Sequence, residues 1–136
     1  MRVFLDANIL FSAARTNGAI RALLALLADR GHALVADGYV VAEARRNLLS
    51  KGPSAIQDLD ALLGQVEIAP FRADRLPADL ARLIAVKDRP VMAAAIRLRC
   101  DALVTGDSTH FGQLYGSVRH GVAIHSPRSL AEALGG

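Results

Sequence analysis

Residues 87–111, KDRPVMAAAIRLRCDALVTGDSTHF, admit few folds. An acid, Asp88, stands just ahead of a proline at what reads as the first turn of a helix. The segment VMAAAIRLR places Val91, Ala95 and Leu98 on one row with Met92 and Ile96 beside them, and its alanines let it lie close against a sheet. Ala102-Leu103-Val104 is too short and too evenly apolar for a helix and fits a strand buried on both faces. It stops at Thr105-Gly106-Asp107, and Ser108 opens a second helix or turn. Asp88 and Asp107 therefore both stand at the entrance to a helix on one edge of an α/β layer. In open parallel sheets, ligands bind at the edge formed by the carboxyl ends of the strands.

The remaining chain repeats this grammar. Val3-Phe4-Leu5 is a β-favouring run without polar alternation, ended by Asp6 with Asn8 two residues on, and it reads as a central strand. Asn17-Gly18 caps the next helix, in which Ile20, Leu23, Leu24 and Leu27 follow helical spacing up to Gly31. Ala33-Leu34-Val35 is a second strand, and Asp37-Gly38 leads into a helix ending near residue 49. On that helix Val40, Val41, Ala44 and Leu48 form an apolar arc, with Glu43 and Asn47 on its flank. Ser54 to Gln57 fits a capping box for a helix carrying Ile56, Leu59, Leu62 and Leu63. Val66-Glu67-Ile68 is a third strand, 78–86 a further helix, and Val122-Ala123-Ile124 a last strand before a terminal helix opened by Ser126-Pro127. Strands alternating with helices predict a three-layer α/β fold in a single domain, 1–136.

Asp6 and Asp107 end strands expected to be parallel neighbours, so Asp6, Glu43, Asp88 and Asp107 are expected to converge on one edge. Two like charges about 4 Å apart cost on the order of 4 kcal/mol at an effective dielectric near 20, so such a cluster needs a neutraliser. A hard divalent cation such as Mg²⁺ takes oxygen ligands and few carboxylates. It can activate a water and stabilise the leaving oxygen of a phosphodiester. Zinc is not expected, because His110, His120 and His125 form no zinc-binding spacing with Cys100. Asp101 falls at the opposite end of its strand and is expected to be structural.

The net charge of +3 suits a polyanionic partner. Arg45, Arg46, Lys51 and Arg89 are candidates for phosphate contacts. Two Tyr, four Phe and no Trp argue against the base-stacking platforms of single-strand binders, so backbone charge should dominate and binding should weaken with salt. One cysteine excludes an internal disulfide and fits a reducing compartment. The N-terminal apolar run is interrupted at Asp6, unlike a signal peptide, and no run approaches the roughly 20 apolar residues of a membrane span. A cytoplasmic protein with no membrane contact is expected.

At LDANIL, VVAEARRNL, DRPVMAAAI and DALVTGDSTHF, taken in order, the chain resembles the PIN-domain ribonuclease superfamily, most closely its small prokaryotic members related to VapC-type toxins. The resemblance implies a PIN-like fold with a central five-stranded parallel sheet between helices, and Mg²⁺- or Mn²⁺-dependent endonucleolytic cleavage of RNA. It also implies an antitoxin partner and a homodimer. Carried over residue by residue, it makes Asp6, Glu43, Asp88 and Asp107 the catalytic acids, with Asp6, Asp88 and Asp107 on the metal and Asn8 and Thr105 in support. The chain departs from the pattern at His110, where many relatives have another acid or Asn. Two other classes compete: a catalytically silent PIN-like module that binds RNA or protein, and a phosphoryl-accepting receiver. A receiver needs an Asp after its third strand and a Lys after its fifth, where this chain has Ala69-Pro70 and His125-Ser126.

Overall fold

The computed structural model describes residues 1–135. Six strands, β1 (Arg2–Leu5), β2 (Ala33–Asp37), β3 (Glu67–Ala69), β4 (Ala102–Val104), β5 (Val118–Arg119) and β6 (Val122–His125), form one sheet in the order β3-β2-β1-β4-β6-β5. The five strands from β3 to β6 are parallel, as the apolar runs require, and β5 joins the edge antiparallel to β6. Eight helices flank the sheet: α1 (Ala7–Arg15), α2 (Ala19–Asp29), α3 (Gly38–Lys51), α4 (Ile56–Leu63), α5 (Ala78–Ala81), α6 (Arg89–Arg97), α7 (Ser108–Phe111) and α8 (Pro127–Ala133).

The strand order places the functional edge. From β1 the chain winds outward through β2 to β3, then returns across the sheet to β4 on the other side of β1 and winds out again. The winding direction therefore reverses between β1 and β4, whose register pairs Val3, Phe4 and Leu5 with Ala102, Leu103 and Val104. At such a reversal the connections after the two strands part to opposite sides and leave a crevice beyond the carboxyl ends. Asp6 and Thr105 are the next residues out from this pair. Beneath them, Val3, Phe4, Leu5, Leu103 and Val104 are wholly inaccessible, so the crevice stands on the rigid centre of the core.

Four expectations are revised. Residues 7–15, left without an element between the first strand and Asn17-Gly18, form α1, which buries Ala7, Ile9, Leu10, Ala13 and Ala14. The capping box at Ser54 is absent. Pro53–Ala55 make a 3-10 turn and α4 begins without a side-chain cap. The helix expected over 78–86 ends at Ala81, because the Arg89 guanidinium donates to the carbonyls of Ala81 (2.7 Å) and Ile84 (3.0 Å) and satisfies groups that further turns would have used. The sheet has a sixth strand because His120 and Gly121 both adopt positive φ (50° and 82°), the two-residue turn that folds β5 back onto β6.

The irregular segment 70–77 is pinned rather than loose. Arg97, in the last turn of α6, donates to the Pro70 and Arg72 carbonyls (3.3 and 3.4 Å) and to Asp74 Oδ2 (2.9 Å). It also lies 3.8 Å from Asp37, which is 1 % exposed and caps α3 by accepting from the Val40 amide. Asp101 accepts from the Arg2 amide at the opposite edge of the sheet, the structural role expected of it. Among the described residues no single helix is long and apolar enough to cross a membrane.

Candidate active site

Asp6 leaves β1 at the crevice and caps α1, its Oδ1 accepting from the Ala7 amide at 2.7 Å. Its Oδ2 accepts from the Thr105 hydroxyl at 2.8 Å and from Asn8 Nδ2 at 3.4 Å. Asn8 Oδ1 in turn accepts from the Gly106 amide at 2.8 Å, so Asn8 ties the turn after β1 to the turn after β4. A Cβ at position 106 would stand 3.3 Å from that oxygen, so a larger residue there would press on the Asn8 side chain. The fully buried Thr105 hydroxyl also accepts from the Asp107 amide at 3.1 Å, and the Thr105 carbonyl accepts from the Tyr115 hydroxyl at 2.8 Å. Asn8 and Thr105 thus fix the spacing of the first and fourth acids through hydrogen bonds that leave no slack.

Asp107 caps α7, its Oδ1 accepting from the His110 amide at 3.2 Å. One helical turn on, the His110 ring folds back and sets Nδ1 2.6 Å from Asp107 Oδ2 and 2.9 Å from Asp88 Oδ2. Asp88 ends the 3-10 turn Val86–Asp88 and precedes α6, yet its side chain makes no capping hydrogen bond. It is 9 % exposed, and its buried Oδ2 accepts no hydrogen bond despite its closeness to His110. Tyr39, in the first turn of α3, donates from its hydroxyl to the Lys87 carbonyl at 2.8 Å and holds the Asp88 turn against α3. Glu43 lies one turn further along α3, half-buried.

The electrostatics follow from this crowding. Burial pushes Asp6 up to about 6. The hydrogen bonds from Thr105 and Ala7 oppose the rise, and the charges of Asp88 and Glu43 add to it. Burial likewise raises Asp88, with His110 opposing and Asp107 adding. Tyr39 is raised by burial first and then by Glu43, Asp88 and Asp6, so all three acids act on one small volume.

Asp88 Oδ2, Asp107 and His110 offer ligand atoms within 4.8 Å of one another. The expected metal set, Asp6, Asp88 and Asp107, differs from this group by one member: His110 converges with Asp88 and Asp107, while both oxygens of Asp6 are engaged by hydrogen bonds. Two ligands at right angles around an ion with bonds of about 2.1 Å stand about 3 Å apart, close to the separations seen around His110 Nδ1. Two carboxylates, one of them buried, beside one imidazole fit a divalent cation.

The candidate phosphate contacts are dispersed. Arg45 pairs with Asp60 at 3.0 Å on the surface, Arg46 is exposed, and Arg89 spends its guanidinium on the carbonyls described above. The acids stand on an open edge. A groove of about 450 Å³ lies elsewhere, between α1 and α2, lined by Phe11, Arg15 and Ile20 among others. His110, Tyr39 and Tyr115 were not singled out as site residues. The spacing Asp-x-x-His at a helix entrance is the one signal that could have found the first, since residues three apart share a helix face.

A family model described as PIN domain matches residues 2–109. Solved structures similar to the chain include VapBC2 from Rickettsia felis bound to a promoter DNA fragment, at 22 % identity over 93 % of this chain and 98 % of that one, TM-score 0.71. VapBC-1 from nontypeable Haemophilus influenzae matches at 14 % identity over 94 % and 99 %, TM-score 0.59. FitAcB from Neisseria gonorrhoeae matches at 21 % over 93 % and 98 %, TM-score 0.58. No curated protein matches the sequence. The structural likeness is one of fold, and the family model spans both acid-bearing strand ends of the crevice: the chain belongs to the PIN domain family.

Proposed function

We propose that the chain is a metal-dependent endoribonuclease of the VapC type, hydrolysing RNA phosphodiesters at the Asp6–Glu43–Asp88–Asp107 edge with Mg²⁺ or Mn²⁺. The observation that carries this reading is the convergence at the sheet's switch point of the buried Asp88 Oδ2, which has the His110 ring at 2.9 Å and no other donor, with Asp107 and His110. Asp88 and Asp107 would hold the ion, and Asp6, locked by Thr105 and Asn8, would fix the charge beside it. The chemistry supplied by a divalent cation held there would be neutralisation of the acids, activation of a water and stabilisation of the leaving oxygen. The chain's own part is orientation: Thr105 and Asn8 clamp Asp6, and Tyr39 clamps the turn that carries Asp88.

A metal titration with a short stem–loop RNA tests the activity. Cleavage should appear at millimolar Mg²⁺ or Mn²⁺, vanish with chelator and fall at least about a hundredfold in Asp107→Asn. Cleavage that ignores chelator and survives in Asp107→Asn would instead mark a contaminant and leave a silent binding module. RNA binding should weaken steeply between about 50 and 200 mM salt.

The same site makes a second prediction. An ion that binds only the folded chain stabilises it by about 2.7 kcal/mol at a hundred times its dissociation constant. The melting temperature should therefore rise with millimolar Mn²⁺ and stay flat in Asp88→Asn.

The solved neighbours carry the names of two-component complexes, which supports a cognate protein partner of the antitoxin kind; a homodimer of this chain in the cytoplasm belongs to the same proposal and rests on the resemblance alone. Sedimentation at micromolar concentration decides the dimer, since the monomer is 14.4 kDa.

A further inference from the structure

His110 is the group in the site that neither the acids nor the hydrogen-bond clamp accounts for. It stands on the first turn after β4, its Nδ1 between Asp107 Oδ2 at 2.6 Å and Asp88 Oδ2 at 2.9 Å. The side chain is 29 % exposed, and its two carboxylate neighbours fix where the ring nitrogen lies. Two features show that it is aimed rather than stranded. Asp107 accepts from the His110 backbone amide, which fixes the turn that throws the ring back. Asp88 Oδ2, buried at the far side of the cluster, has the His110 Nδ1 beside it and no other donor, so its lone pairs are directed at the same point.

From this juxtaposition we infer that His110 is a nitrogen ligand, and that its imidazole makes the site select a first-row transition ion such as Mn²⁺ or Co²⁺ over Mg²⁺. The chemistry of the donor set decides it. Carboxylates alone suit Mg²⁺ and Mn²⁺ alike, whereas imidazole suits transition ions and gives little to a small, strongly hydrated Mg²⁺. Two carboxylates with one imidazole are therefore a mixed set, in which the nitrogen supplies the discrimination. Asp88 and Asp107 then anchor whichever ion is present, and His110 ranks the ions.

This inference rests on the metal-dependent reading of the site, and the experiment separates the two. The full chain, stripped of metal, is loaded with Mn²⁺ and its electron spin-echo modulation is recorded, with RNA cleavage followed separately. Wild type should show modulation from a directly bound ¹⁴N, and His110→Asp should lose it. By calorimetry, the ratio of Mn²⁺ to Mg²⁺ affinity should fall about tenfold or more in His110→Asp. Absence of ¹⁴N modulation in wild type overturns the assignment, as does an affinity ratio unchanged by the substitution or no Mn²⁺ binding at millimolar concentration. If cleavage persists in those cases, the nuclease reading stands and His110 only bridges the acids. If ¹⁴N modulation is present but no RNA is cut, the ligand assignment stands and the nuclease reading falls.

Discussion

Asp6→Asn removes metal-dependent cleavage by at least about a hundredfold, and at pH 8 the variant melts higher than the wild type. The two effects come from one charge. Burial lifts Asp6 from 3.8 to about 6 in the folded chain, while the unfolded chain releases the proton near 3.8. Between those values the folded state holds a proton that the unfolded state has lost. Stability therefore falls as pH rises from about 4 to 6 and is level above that range. The full penalty is on the order of 3 kcal/mol. Asn does not titrate, caps a helix as well as Asp does, and its oxygen can still accept from the Ala7 amide. It forgoes the charge–dipole term at the start of α1, roughly 0.3–1 kcal/mol, and its amide nitrogen stands where Oδ2 accepts from Thr105, a loss of about 1 kcal/mol. A net gain of about 1 kcal/mol, or roughly 2–6 °C in metal-free buffer, is expected at pH 8 and should be gone near pH 4. Thermal melts of both proteins at the two pH values, beside an RNA assay, check this. A fully active variant, or one less stable than wild type at pH 8, would sink the account of Asp6.

Arg97→Ala should destabilise the chain by about 3 kcal/mol at pH 7, more than any surface ion pair in the structure can. Asp37 is 1 % exposed, and its Oδ2 accepts no hydrogen bond, so the guanidinium 3.8 Å away is its compensating charge. The substitution also removes the donor shared by Pro70, Arg72 and Asp74 and frees the segment 70–77. Burial already raises Asp37, and Arg97 is among the groups that hold it down. Without Arg97 the acid rises further and takes a proton at higher pH, so the difference between variant and wild type should shrink as pH falls. A second variant isolates the cause. Asp37→Asn in the Arg97→Ala background removes the stranded charge and should recover a large part of the loss. Chemical denaturation at pH 7 and pH 5 measures all three. If the double variant is no more stable than Arg97→Ala, the cost lies in the loop contacts and not in the buried charge.

Much of this architecture was legible because it is written in short-range patterns. Val3-Phe4-Leu5 and Ala102-Leu103-Val104 read as buried strands because an unbroken apolar triplet between polar turns has few other uses, and the structure pairs them in parallel. The turns following these strands then had to lie side by side, and Asn8 and Thr105 join them. The helix α1 was obscured by its own cap: Asp6 was counted as the end of a strand and its second role, starting a helix, went unread. The β5–β6 hairpin was hidden because its turn uses His120-Gly121 in place of the usual Asn-Gly or Asp-Gly. The Arg97–Asp37 pair joins residues far apart on separate elements, and no periodicity of either helix predicts it. His110 belongs with these: Asp88 reaches it only because α6 and α7 open at the same edge. Sequence patterns place residues on faces of elements, and contacts between elements depend on packing that no local window contains.

The hydrogen bond from Thr105 to Asp6 spans 99 positions, and it bears on the order of events during synthesis. The first of the six strands occupies the middle of the sheet, and its neighbour on one side, β4, is translated only after β2 and β3. At about 5–20 residues per second, roughly 5–20 s separate the appearance of Asp6 from that of Thr105 on the ribosome. Throughout that interval β1 has an open flank and the acids have nothing to converge upon. The emerging polypeptide therefore cannot assemble its acidic edge until β4 has been made, and a chain terminated before that leaves a sticky, inactive fragment whose exposed strand invites disposal by proteases or chaperones.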